Sequence, residues 1–132
     1  MTSNKQASNE GKVAIVTGAS RGIGASIAKR LASEGFMVVV NYVGRAADAQ
    51  AIVDEIRVAG GRAEAIQADV SVPAQVTALF NQAATLFGGV DVLVNNAGVM
   101  QTGLVPLGET DDALFDRIVD TNLKGTFNTL RV

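Results

Sequence analysis

The sequence predicts an α/β fold built on a doubly wound parallel sheet, on three observations. Short unbroken apolar runs (Val13 to Val16, Phe36 to Val40, Val90 to Val94) alternate with longer segments of helical periodicity. Three glycines, Gly18, Gly22 and Gly24, follow the first run at once. The chain has 132 residues, of which 48% are hydrophobic, which suits one domain with a substantial core.

Each element has its own signal. Val13 to Val16 is too short for a helix and ends in a turn, so it is a strand. From Gly22 the period becomes helical, with Gly24, Ile27, Ala28 and Leu31 at i, i+3, i+4 and i+7. Phe36 to Val40 has no polar alternation, as expected of a strand buried on both faces of a parallel sheet. A helical link joins these two strands into a βαβ unit. Ala49, Ile52, Val53 and Ile56 mark a second amphipathic helix, stopped by Gly60-Gly61. Arg62 to Ala68 is a third strand.

Ser71 is expected to cap a third helix, with Pro73 in its first turn and a stripe of Val76, Leu79, Phe80 and Ala83. Gly88-Gly89 ends it, and Val90 to Val94 is the fourth strand. A loop over Asn95 to Gly108 leads to a fourth helix that runs to Val132. Thr110 is its expected cap, with Asp111 and Asp112 suited to the positive helix end. Met1 to Gly11 is polar, lacks the apolar core of a secretory signal, and reads as a flexible tail.

Composition limits the chemistry. Net charge is −2 with no basic cluster, which argues against nucleic acid as a partner. There is no cysteine and no histidine, so no metal site is expected, and a reducing, cytoplasmic location fits. No apolar run approaches the length of a membrane span.

The glycine turn invites a nucleotide. Gly18 can take the tight turn at the strand end. Gly22 lets backbone approach a pyrophosphate at the helix N-terminus, where free N–H groups favour an anion. Gly24 permits close helix–strand packing, as in a Rossmann-type sheet. An ordinary βα turn that binds nothing would also carry such glycines.

Three further groups fall at strand ends or on the last helix. After the second strand, Asn41-Tyr42-Val43-Gly44-Arg45 has no acid before Asp48, which belongs to the next helix. Arg21 and Arg45 instead offer positive charge to a 2′-phosphate with no carboxylate competing, or are solvated loop residues. Asp69 follows the third strand and Asn95-Asn96-Ala97-Gly98 the fourth, where open α/β sheets bind ligands. Turn formation would explain either. Finally Phe115, Ile118, Val119 and Asn122 share a helical stripe, which puts an amide on an apolar face. It is either a satisfied core asparagine or a group aimed into a site, and Gly125 would ease a local distortion.

Together these segments resemble the short-chain dehydrogenase/reductase family. Thr17-Gly18-Ala19-Ser20-Arg21-Gly22-Ile23-Gly24 matches its cofactor motif T-G-x-x-x-G-x-G. Asp69-Val70 is similar to its adenine-contacting pair, and Asn95 to Gly98 to its N-N-A-G motif. Asn122 is similar to the asparagine of its catalytic tetrad. In general style the sequence is similar to 3-oxoacyl-carrier-protein reductases and their sugar- or polyol-oxidising relatives. The resemblance implies NADP(H) as cofactor, a small carbonyl or alcohol as substrate, and a homodimer or homotetramer. The implied cofactor contacts are Gly18, Ser20, Arg21, Gly22, Ile23, Gly24, Asn41, Tyr42, Arg45, Asp69, Val70, Asn95, Ala97 and Gly98, with Asn122 catalytic.

The family's Ser and its Y-x-x-x-K pair belong to a later segment than this sequence covers. The only tyrosine is Tyr42, and the residue four positions on is Ala46 rather than lysine. Residues 12–132 are therefore expected to be the cofactor-binding half of such an enzyme, with about four strands in the order 3-2-1-4 and four helices. That half is expected to be inactive alone and prone to self-association. A non-catalytic nucleotide-binding or interaction module is the alternative.

Overall fold

The computed structural model describes residues 9–98 and 111–131. Four parallel strands form one sheet in the order β3-β2-β1-β4. They are β1 (Val13–Val16), β2 (Met37–Tyr42), β3 (Arg62–Gln67) and β4 (Val92–Val94). The connecting helices are α1 (Gly22–Ser33), α2 (Ala46–Val58) and α3 (Pro73–Phe87). A last helical run comprises α4 (Asp112–Ile118), a π-helical segment (Val119–Lys124) and α5 (Gly125–Leu130). The expected fold class and strand order are both present.

β1 and β2 read as apolar runs because both of their faces are covered. Every residue of β1, and Met37 to Asn41 of β2, is buried. Alternate residues feed two cores, as the two-residue strand period requires. Val16, Val38 and Val40 pack with Ala25, Ala28, Ile52, Val53 and Ile56 of α1 and α2. Ile15, Val39 and Ile66 pack with Leu79 and Ala83 of α3 on the other face. Each fully buried aliphatic side chain contributes about 1.5–3 kcal/mol. Val13 pairs with Met37, Val16 with both Val40 and Val94, and Tyr42 with Gln67.

Several boundaries differ from expectation. Phe36 is not in β2, because its amide closes the end of α1 by donating to Leu31 O at 3.2 Å. The strand instead runs on through Asn41 and Tyr42, which pair with Ile66 and Gln67. β3 ends at Gln67 and β4 starts at Val92. Asp91 precedes β4 and accepts from Val13 N through Oδ2 at 2.8 Å.

Ser71 does not cap α3. Asp69 Oδ1 holds both its amide (3.0 Å) and its hydroxyl (2.6 Å), and Val72 takes the N-cap position. Pro73 opens the helix as expected, and Gly88 closes it in the left-handed region at φ 94°.

Asp111 caps α4, its Oδ1 accepting from Leu114 N at 2.7 Å; Thr110 lies outside the described residues. So do most of the expected tail, Val132, and all of the expected 95–108 loop after Gly98. The last helix is not one continuous α-helix. The π-helical turn inserts extra chain and turns the following residues by about 100° relative to a 3.6-residue count. The stripe read through Phe115 is therefore broken: Phe115 and Asn122 are exposed, and Gly125, Asn128 and Thr129 face inward instead. Among the described residues no helix is long and apolar enough to cross a membrane.

Candidate functional site

The four strands all end at the same edge of the sheet, and the glycine turn sits at its centre. β1 runs into Thr17, which is fully buried. Its hydroxyl donates to Val94 O at 3.3 Å and accepts from the amides of Asn96 and Ala97, both at 3.0 Å. One side chain thus fixes the loop after β4 against the loop after β1. Asn96 adds a second tie, its Nδ2 donating to Gly18 O at 3.0 Å.

The glycines make this closeness possible. A methyl group on Gly18 would lie 2.9 Å from Ala97 Cα, and one on Gly24 would strike the Asn96 amide and lie 2.6 Å from Gly18 O. Gly24 thus packs against the β1 turn and the Asn96 side chain. Gly22 differs, since a methyl there would meet nothing within 4 Å. Its φ of 61° and the open space above it leave the start of α1 accessible. Arg21 is the N-cap of α1, and its side chain makes no capping hydrogen bond, so it leaves the first-turn N–H groups to other acceptors.

Asn41 cross-links the ends of three strands. Its Oδ1 accepts from Gly18 N at 3.1 Å, while Nδ2 donates to Ile66 O (3.2 Å) and Ala68 O (3.1 Å). Its own carbonyl accepts from Ala19 N at 2.8 Å. Both amide hydrogens are used within the protein, which satisfies a buried carboxamide.

The far wall is tied down by the last helix. Gly125 lies against Val70, where a methyl group would come within 2.5 Å of Val70 Cγ2. Asn128 Nδ2 donates to Val70 O at 2.9 Å, and Thr129 Oγ1 donates to Asn95 Oδ1 at 2.7 Å. The Asn95 carboxamide therefore binds α5. Asn122 stands in the π-helical segment, its Oδ1 3.2 Å from where a Gly98 side chain would begin. π-helical turns are frequent at functional sites.

A cleft of about 1310 Å³ opens over these loops. From the glycine turn, Gly18, Ser20, Arg21, Gly22 and Ile23 line it; from the end of β2, Asn41, Tyr42 and Arg45. Asp69 and Val70 after β3, and Ala97 and Gly98 after β4, complete the set read from sequence. Gly24, Asn95 and Asn122 are not among its lining residues. Sequence reasoning missed the wall supplied by Ala113, Asp116, Arg117, Asp120 and Thr121. It also missed Asn128 and Thr129, two buried polar residues in a row, for which Gly125 was the available signal of close packing.

The expected lack of a competing carboxylate does not hold. Arg45 Nη1 pairs with Asp48 Oδ2 at 3.2 Å. The sequence order put Asp48 in the next helix, but three residues along a helix start bring the two side chains together.

The family model for the short chain dehydrogenases matches residues 12–132. The chain belongs to the short-chain dehydrogenase family. A 3-oxoacyl-(acyl-carrier-protein) reductase of Staphylococcus aureus is 48% identical over 120 residues, which are 91% of this chain and 48% of the relative. A dehydrogenase/reductase of Sinorhizobium meliloti has a solved structure that superposes with a TM-score of 0.90 at 44% identity, over 99% of this chain and 52% of that one. A short chain dehydrogenase of Burkholderia cenocepacia, solved in complex with NADP, gives a TM-score of 0.87 at 42% identity, over 93% and 49%. This short-chain dehydrogenase chain thus spans about half the length of the relatives it matches. The match covers all four strands and the glycine turn.

Proposed function

We propose that residues 12–132 are the cofactor half of an NADP-dependent oxidoreductase acting between a small carbonyl compound and its alcohol. The observation that carries this reading is one cleft where the uncapped start of α1 meets the ends of all four strands. The site fits a dinucleotide. Gly22 leaves open space at a helix N-terminus, the place for a pyrophosphate. Arg21 and Arg45 would hold a 2′-phosphate, Asp69 and Val70 an adenine, and Ala97 and Gly98 the nicotinamide-side ribose. When bound, the nicotinamide supplies or accepts the hydride.

The proton must come from elsewhere. Tyr42 stands at the end of β2, while Asn122 and Gly98 stand beyond β4, with β1 between those strands. A tyrosine so placed does not meet the geometric need of a proton donor beside the reacting carbon. In this reading Asn122 helps to order the reacting end, and a Tyr–Lys pair from outside these residues moves the proton. We assign the apolar side chains of Phe115, Leu123, Phe127 and Leu130, each more than half exposed, to a subunit contact within a homodimer or homotetramer. The lack of cysteine fits a cytoplasmic protein.

Titration with NADPH and NADH, followed by fluorescence, tests the cofactor reading. Saturable NADPH binding that disappears in Gly22→Val supports it. A folded protein that binds neither dinucleotide overturns it. An intact protein that binds NADPH yet reduces no carbonyl compound would favour a binding module.

A further inference from the structure

Arg45 meets the cleft already engaged. Its pair with Asp48, at 3.2 Å, is built into the start of α2, and both side chains are about half exposed. Arg45 is the N-cap residue, its carbonyl accepts from Ala49 N at 3.0 Å, and Asp48 lies in the first turn. There the positive end of the helix favours a carboxylate. The loop that carries Arg45 is tied to β3, since Gln67 Nε2 donates to Val43 O at 3.0 Å. The backbone of Arg45 is therefore held, and Asp48 is placed to draw on its side chain.

We propose that Asp48 is a specificity-determining residue of the cofactor site, one that restrains the preference for a 2′-phosphorylated dinucleotide by competing for Arg45. The proposal rests on the NADP reading above. A guanidinium presents a planar fork of donors that suits two oxygens of one phosphate. Asp48 occupies one limb of that fork. A 2′-phosphate, an anion, must displace the carboxylate or share the cation with it, and either lowers the gain. A 2′-hydroxyl carries no charge and gains or loses little. Arg21 makes no ion pair among the described residues. The two arginines are thus unequal: Arg21 acts in full, and Arg45 acts against a built-in competitor. Because the pair is exposed, the effect is several-fold rather than orders of magnitude.

Dissociation constants for NADPH and NADH decide the matter, measured on the intact protein and on Asp48→Asn, Arg45→Ala and the double variant. Asp48→Asn should tighten NADPH by about two- to fivefold and leave NADH unchanged. The gain should shrink at high salt and vanish when Arg45 is already alanine. Circular dichroism confirms that each variant is folded. Unchanged or weaker NADPH binding in Asp48→Asn overturns the proposal, as does a full gain that persists without Arg45. Those outcomes leave the NADP reading standing, provided Arg45→Ala or Arg21→Ala weakens NADPH. Folded variants that bind neither dinucleotide overturn both.

Discussion

The Asn41 carboxamide oxygen accepts a hydrogen bond from the Gly18 amide at 3.1 Å, across the gap between β2 and the glycine turn. The same group donates to two carbonyls at the end of β3, Ile66 within the strand and Ala68 just past it. The position of the turn is thus set by a neighbouring strand as well as by its own glycines. Asn41→Asp should expose this dependence. It keeps the acceptor for Gly18 but aims a carboxylate oxygen at two carbonyl oxygens. We expect a loss of about 2–4 kcal/mol at neutral pH, from two lost donors and a buried charge. The new acid would have its folded-state pKa raised above the ordinary value of about 3.9. Its cost is therefore smallest at low pH and grows as pH rises through the folded-state pKa. Urea unfolding of this variant against the parent at pH 7 and pH 5 would show the deficit narrowing at the lower pH. A deficit that widens on acidification refutes the assignment.

Gly22 separates strain from contact. Its φ of 61° penalises any side chain, yet a Cβ there meets nothing in the protein. Gly22→Ala and Gly22→Val should both remain folded and lose about 1–2 kcal/mol of stability. Both should lose NADPH affinity, Val by more than Ala, because the added atoms stand over the α1 N-terminus. Chemical denaturation beside a cofactor titration distinguishes the two effects. Wild-type affinity in folded Gly22→Val would move the pyrophosphate away from this turn.

Arg21 has no carboxylate competing for it among the described ion pairs, so it gives the cleaner test of a 2′-phosphate contact. A charge-assisted hydrogen bond contributes on the order of 1.5–3 kcal/mol, and the exposure of Arg21 places it at the lower end. Arg21→Ala should weaken NADPH by about tenfold and NADH by less than twofold. Equal losses for both cofactors would mean that Arg21 shapes the turn rather than reads the phosphate.

What the sequence revealed depended on whether a signal was local. Strands β1 and β2 were legible because residues buried on both faces leave unbroken apolar runs. The glycine turn was legible because its backbone demands fall within eight consecutive residues. Capping was less so: Ser71 is a good cap by type, but Asp69, two residues before it, takes its hydroxyl. Asn122 shows the larger limit. Its stripe was counted at 3.6 residues per turn; Gly125 signalled a local distortion, but no local pattern gives its π-helical form or its start at Val119. The Asp48 pair was missed because separation by element was taken for separation in space. Asn128 and Thr129 contact residues 58 and 34 positions away, so only the assembled sheet makes their roles visible.

The seat of α5 can be tested directly, because Gly125 and Val70 are in contact at the wall of the cleft. A methyl group on Gly125 would reach within 2.5 Å of Val70 Cγ2, and 3.3 Å of its Cβ. Neither atom is the flexible end of a long side chain, so the helix must shift. Overpacking of this kind costs about 1–3 kcal/mol. The shift would also strain the Asn128 bond to Val70 O and the Thr129 bond to Asn95, which anchor the same helix. Gly125→Ala should therefore lower stability and weaken NADPH binding together, although residue 125 does not line the cleft. Val70→Ala removes the obstructing methyls. Combined with Gly125→Ala it should restore much of the lost stability, giving a coupling of about 1 kcal/mol or more in a double-mutant cycle. Thermal unfolding and cofactor titration of the four proteins complete the cycle. Strict additivity would mean that the close approach at Val70 does not govern how α5 is seated.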